Sequence, residues 1–159
     1  MCILVDANRA AAFYNHPPQP EAKQILDWLL LRDGGLVMGG RLKKEHLKAK
    51  SEEAQRLWLV LKRAGRLHDI ADAEVDAEEA RLAGTIVSDD PHVLALARVS
   101  GARLLYSEDQ PLMTDWGNKR LLDRPRGKVY RRIEHSRLLA HIPSCPHSKQ
   151  RSGSRDSAF

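Results

Sequence analysis

The chain predicts an α/β fold of three layers (α/β/α), with a parallel central sheet between two layers of helices, and two observations carry that prediction. Short apolar runs alternate with segments of helical spacing along most of the 159 residues, which is the pattern of βαβ units. Acidic residues stand where those runs end or where a helix opens, and in a parallel sheet such ends converge on one edge, outside the carboxyl ends of the strands.

Taken in order, the run Cys2-Ile3-Leu4-Val5 is a strand that closes at Asp6. A short helix through 9–13 meets the breaker His16-Pro17-Pro18. A second helix follows, with Ala22, Ile25, Leu26 and Leu29 at helical spacing, and ends at Gly34-Gly35. Leu36-Val37-Met38 is a short buried strand and Gly39-Gly40 a turn. A long helix from about 42 to 64 carries Leu47, Ala54, Leu57 and Leu61 on one side and stops at Gly65. Residues 67–70 read as another short strand, and 72–82 as a helix with a strongly charged outer face. The helix that opens at Pro91 is largely buried through Val93, Leu94, Leu96 and Ala97 and is ended by Gly101. A strand over 103–106, a loop or short helix over 110–118 and a last short strand, Lys128-Val129-Tyr130, complete the series. There is no internal repeat. Residues 1–142 form the expected domain. From Pro143 the composition turns to Pro, Ser, Lys, Arg and Gly with little to bury, so 143–159 is expected to be a disordered basic tail.

Composition narrows the class. The length suits one domain with its own core. A formal charge of +5 with 30% charged residues is compatible with an anionic partner such as nucleic acid. The two cysteines, Cys2 in an apolar strand and Cys145 in a polar tail, are not a disulfide framework. No apolar run approaches the roughly 20 residues that span a bilayer, and the N-terminus lacks the marks of a signal peptide. A cytoplasmic protein without a membrane partner is expected.

Four acids stand out: Asp6, Glu45, Asp90 and Asp109. Gathered carboxylates repel one another unless a cation holds them, and an all-oxygen donor set suits Mg²⁺ or Mn²⁺. Each also has a plainer reading. Asp90 before Pro91 is a good helix N-cap, Glu45 lies among Arg41, Lys43, Lys44, Lys48 and Lys50 as an exposed helical Glu would, and Asp6 and Asp109 suit turns. Asp89, Glu108 and Asp115 read as solvated or capping residues, with Asp89 the best reserve ligand. His46 and His92 read as surface or packing residues, because a hard ion prefers oxygen. Cys145-Pro146-His147 is too short for a zinc site. The basic segment 119–137 is either a solvated face or a rim that draws an anionic substrate toward the acids.

The chain resembles the PIN-domain nucleases, which include many toxin ribonucleases of toxin–antitoxin pairs. The resemblance rests on Ile3-Leu4-Val5-Asp6-Ala7-Asn8, on Gly39-Gly40-Arg41-Leu42-Lys43-Lys44-Glu45, on Ser88-Asp89-Asp90-Pro91-His92-Val93-Leu94-Ala95-Leu96-Ala97, and on the stretch from Gly101 to Asp109. It covers about residues 3–130. It implies a metal-dependent endoribonuclease with Asp6 and Asp90 at the principal Mg²⁺ or Mn²⁺ and with Glu45 and Asp109 completing the site. Asn8 and Ser107 would orient a ligand or water, and Arg9, Arg41, Lys43, Lys44, Arg131 and Arg132 would meet RNA phosphates. A protein antitoxin and a homodimer are the partners it implies. Two other classes stand beside it. A receiver or phosphotransferase domain usually pairs acids at the first strand or carries Asp-x-Asp, where this chain has Asp6-Ala7-Asn8. A noncatalytic PIN-like RNA-binding or interaction module would keep the acids as structural residues.

Overall fold

A computed structural model describes residues 1–139. Strands β1 (Cys2–Val5), β2 (Gly35–Gly39), β3 (Leu67–Ile70), β4 (Leu104–Tyr106) and β5 (Lys128–Tyr130) form one sheet in the order β3-β2-β1-β4-β5, and every pairing is parallel. Both faces are covered, because the inner strands β2, β1 and β4 are apolar on both sides. Ile3 and Val5 of β1, Leu36 and Met38 of β2, and Leu104 and Tyr106 of β4 enter one core cluster. Leu4, Val37 and Leu105, one step along, enter the other. Side chains alternate across a strand, so a short apolar run feeds two cores at once.

The first face carries α1 (Ala10–Tyr14), α2 (Pro20–Leu31) and the second half of α3 (Gly40–Arg63), whose Ala54, Trp58 and Leu61 pack with Phe13, Ile25 and Trp28. The opposite face carries α4 (Asp72–Leu82), α5 (Pro91–Ser100) and α6 (Gln110–Trp116), with Val75, Leu82, Val93, Leu96, Leu112 and Trp116 inside. Pro at the first turn of α2, α5 and α6 starts each helix where an unpaired N–H would otherwise lie. Gly101 ends α5 in the left-handed conformation at φ 79°.

Three expectations are corrected. Gly39-Gly40 is not a separate turn: Gly39 is the last residue of β2 and Gly40 the first of α3. The strand passes directly into the helix because Gly40 takes φ +53°, and a Cβ on Gly39 would lie 2.9 Å from the Ile70 carbonyl oxygen. The long helix is broken at Lys50, whose φ of −147° and ψ of 58° are not helical. Cys2 is disulfide-bonded, although the sequence offers no disulfide framework. The 143–159 tail and Cys145-Pro146-His147 lie outside the described residues. Among the described residues no helix is long and apolar enough to cross a membrane.

Candidate functional site

The strand order fixes where a site belongs. From β1 the chain builds outward to β2 and β3, then crosses back to add β4 and β5 on the other side of β1. The switch point therefore lies between β1 and β4, and in open α/β sheets the crevice there, at the carboxyl ends, is where ligands bind. Asp6 leaves β1 at that point, and Ser107 and Asp109 leave β4 beside it.

Asp6 is only 6% exposed. Its backbone N–H donates to the Tyr106 carbonyl at 2.9 Å, and its Oδ2 accepts from the buried Ser107 hydroxyl at 2.6 Å. Ser107 Oγ in turn accepts from the Asp109 N–H at 3.0 Å, so one serine fixes the relation of two acids. Asp109 also caps α6, accepting from the Leu112 N–H at 2.9 Å. Asp90 does not cap: it precedes α5, but its carboxylate makes no capping hydrogen bond. The helix-cap reading of Asp90 is thus removed, and Asp109, which reads as a turn residue, caps α6 from its place at the edge.

Electrostatics links the four acids. Burial pushes the Asp6 carboxyl above its ordinary value; the Ser107 hydrogen bond opposes this, and Asp90 and Asp109 push it further up. Burial also raises Asp90, with His92 opposing, Asp109 and Glu45 adding to the rise, and Arg41 opposing. Glu45, on the first turns of α3, contacts His92 Nε2 at 3.2 Å and Arg41 Nε at 3.5 Å. Among the described residues no group of three or more His, Cys, Asp or Glu side chains stands ready to hold a metal ion. The donor set fits a hard divalent ion in its chemistry: it is all oxygen, and beyond the effect of burial Asp90 and Asp109 push the Asp6 carboxyl up while Asp109 and Glu45 do the same to Asp90. Coordination would require the carboxylates to converge by side-chain rotation.

Three positioning residues escaped the sequence reading. His46 is fully buried; its Nε2 donates to the Val5 carbonyl at 2.7 Å and its Nδ1 accepts from the Tyr14 hydroxyl at 2.7 Å, while Trp58 Nε1 donates to that hydroxyl. The ring therefore holds the last residue of β1 just before Asp6, and burial drives its pKa down to about 4. Asp115 is buried rather than solvated, and its carboxylate accepts from the Val87 and Ser88 N–H groups at 2.9 and 2.7 Å. It thereby pins the loop that presents Asp90. His92 is 1% exposed, and its Nδ1 has no hydrogen-bond partner. No local pattern marks these three, because each acts across 27 or more residues of sequence.

The remaining expected residues divide. Asn8 and Asp89 are exposed and make no side-chain hydrogen bond among the described residues. Arg9 is mostly buried, paired with Glu21 at 2.6 Å and Glu108 at 3.0 Å, and its guanidinium lies over the Tyr106 ring, so it braces the edge from behind. Lys43 pairs with Asp69 at 2.5 Å. Lys44 and Arg41 are exposed beside Glu45, after β2. Arg131 and Arg132 are exposed just beyond the carboxyl end of β5. The acids at β1 and β4 are thus flanked by cations on both sides. The basic segment is split, however: Arg126, Lys128 and Arg137 line a cavity with Arg103 at the opposite, amino edge of β4 and β5.

The chain matches no family model, no curated protein and no solved structure.

Proposed function

We propose that this chain is a Mg²⁺- or Mn²⁺-dependent endoribonuclease of the PIN-domain kind, hydrolysing RNA phosphodiester bonds at Asp6, Glu45, Asp90 and Asp109. The observation that carries the reading is the buried Asp6 at the switch point, its carboxyl raised by burial and by Asp90 and Asp109. Like charges kept together in a partly desolvated edge cost stability, and such an arrangement persists where it serves a cation or a reaction. A divalent ion bound there would supply a nucleophilic water near neutral pH and charge against the pentacovalent phosphorus.

The chain's own residues would do the rest. Asp6 and Asp90 would be the principal ligands, with Glu45 and Asp109 completing the set, and Ser107 would hold Asp6 and Asp109 in relation to each other. Arg41 and Lys44 on one flank and Arg131 and Arg132 on the other would hold phosphates on either side of the scissile bond. The role of a toxin with a protein antitoxin, a homodimeric state and a cytoplasmic setting belong to this proposal. Wild type beside Asp6→Asn, on a mixed RNA panel with Mg²⁺, Mn²⁺ or EDTA, tests it. Divalent-dependent cleavage lost in the variant supports the reading, and cleavage that ignores both metal and mutation ends it.

A specific observation favours one second reading, a noncatalytic RNA-binding or interaction module. Two of the acids already have structural partners: Glu45 meets Arg41 and His92, and Asp109 caps α6. RNA binding without cleavage, unchanged by EDTA, would decide for it.

A further inference from the structure

The amino edge of the sheet, opposite the acids, carries a second constellation. A cavity of about 250 Å³ opens between Met1, the start of β4, the start of β5 and the 3-10 turn Ile133–Leu139. Leu104, Pro125 and Leu138 give it an aliphatic floor, and Arg103, Arg126, Lys128 and Arg137 stand around it. Among the described residues none of these four cations forms a salt bridge. Arg103 donates to the Ala97, Ala102 and Pro125 carbonyls at 2.7–3.0 Å, and Arg126 to the Gly117 carbonyl at 2.8 Å. All their acceptors are neutral. Burial, and secondarily the nearby Arg98, lower the Arg103 pKa.

We propose that this cavity binds a small amphipathic anion, a carboxylate or phosphate ester carried on a short acyl chain or an apolar body of similar size. The aliphatic floor takes the body and the cations take the head group, whose charge-assisted hydrogen bonds supply orientation. The volume lies just under the roughly 300–1,000 Å³ of common small-molecule sites, so the ligand is small. The floor has no aromatic ring on which a nucleic-acid base would stack, which separates this site from an RNA track. A second cavity, of about 320 Å³, serves as an internal contrast. It is lined by Phe13, Leu26 and Leu57, and its charges are Glu53 and an Arg56 already paired with Glu52. An apolar body without a head group has no reason to prefer the amino edge. The inference is independent of the nuclease reading.

The test is NMR titration of the full chain with sodium octanoate, octyl phosphate and octan-1-ol. Either anion is expected to shift the amides of Leu104, Lys128 and Leu138 saturably, and to bind roughly tenfold more tightly than the alcohol. Lys128→Glu with Arg137→Glu is expected to abolish those shifts, whereas Arg131→Glu with Arg132→Glu preserves them. Preference for octanoate or for octyl phosphate assigns the head group. Shifts centred on Phe13 and Leu57, equal binding of the alcohol, or shifts that survive the Lys128 and Arg137 reversal would each overturn the proposal. The wild-type map stands even if a variant fails to fold.

Discussion

At the scale of single residues, Asp6 and His46 are adjacent devices with opposite charge logic. Asp6 has a folded pKa above its ordinary value, so the native state holds its proton more tightly than the unfolded chain does. Stability from this group is complete below about pH 4 and is lost as pH rises through the raised value. Metal-free Asp6→Asn is therefore expected to melt at or above wild type at pH 7.5, and the advantage should vanish near pH 4; calorimetric melts in EDTA at the two pH values check this. His46 is the reverse case, with a folded value near 4 against an ordinary 6.5. Its contribution is full above pH 6.5 and is lost as pH falls toward 4, which amounts to about 2 kcal/mol by pH 5. His46→Leu should cost about 2–4 kcal/mol at pH 7.5, because the Val5 carbonyl and Tyr14 hydroxyl lose their partner, and less at pH 5. Urea unfolding at both pH values measures the gap. The acids were legible because a strand end is a local feature. The histidines were not, since whether an imidazole at position 46 or 92 faces water or core depends on what packs over it.

Among elements, the link that matters most runs from α6 to the loop before α5. Asp115 on α6 receives the Val87 and Ser88 N–H groups, and Ser88 Oγ accepts from the Asp90 N–H at 3.4 Å. Asp115→Ala is expected to destabilise by about 2–3 kcal/mol, since buried amides lose a charged acceptor. It should also lower any metal-dependent cleavage at least tenfold while Asp6 and Asp109 stay in place. Equal cleavage by folded Asp115→Ala and wild type would detach that loop from the chemistry. The three inner strands β2, β1 and β4 were readable because each run is apolar on both faces, and only a covered parallel sheet asks for that. The direct passage from β2 to α3 was not, since a Gly-Gly pair suggests a turn until Val75 and Ile70 are seen crowding it. The break at Lys50 carries neither Pro nor Gly to announce it.

For the molecule as a whole, charge is sorted by sheet edge. Arg131→Ala with Arg132→Ala should weaken RNA binding and make its salt slope shallower by roughly one unit, as fewer counterions are released. Lys128→Ala with Arg137→Ala should leave that slope unchanged. Filter binding across a salt series distinguishes the two pairs. From sequence these cations form one segment, 119–137, and only the passage through β5 parts them. A divalent ion at about 100 times its Kd would stabilise the native state by roughly 2.7 kcal/mol, a shift of several degrees. The shift should be present in wild type and small in Asp6→Asn.

The hydrogen bond between Ser107 and Asp6 joins residues 101 positions apart, and this sets an order of events during synthesis. β1, β2 and β3 can assemble as soon as they are made, but β1 must then wait as an open margin until β4 slides in beside it. Contacts that close so long a loop form late and slowly. The carboxyl edge is thus incomplete until β4 has been made, and whatever chemistry it performs begins only after β4 has docked beside β1.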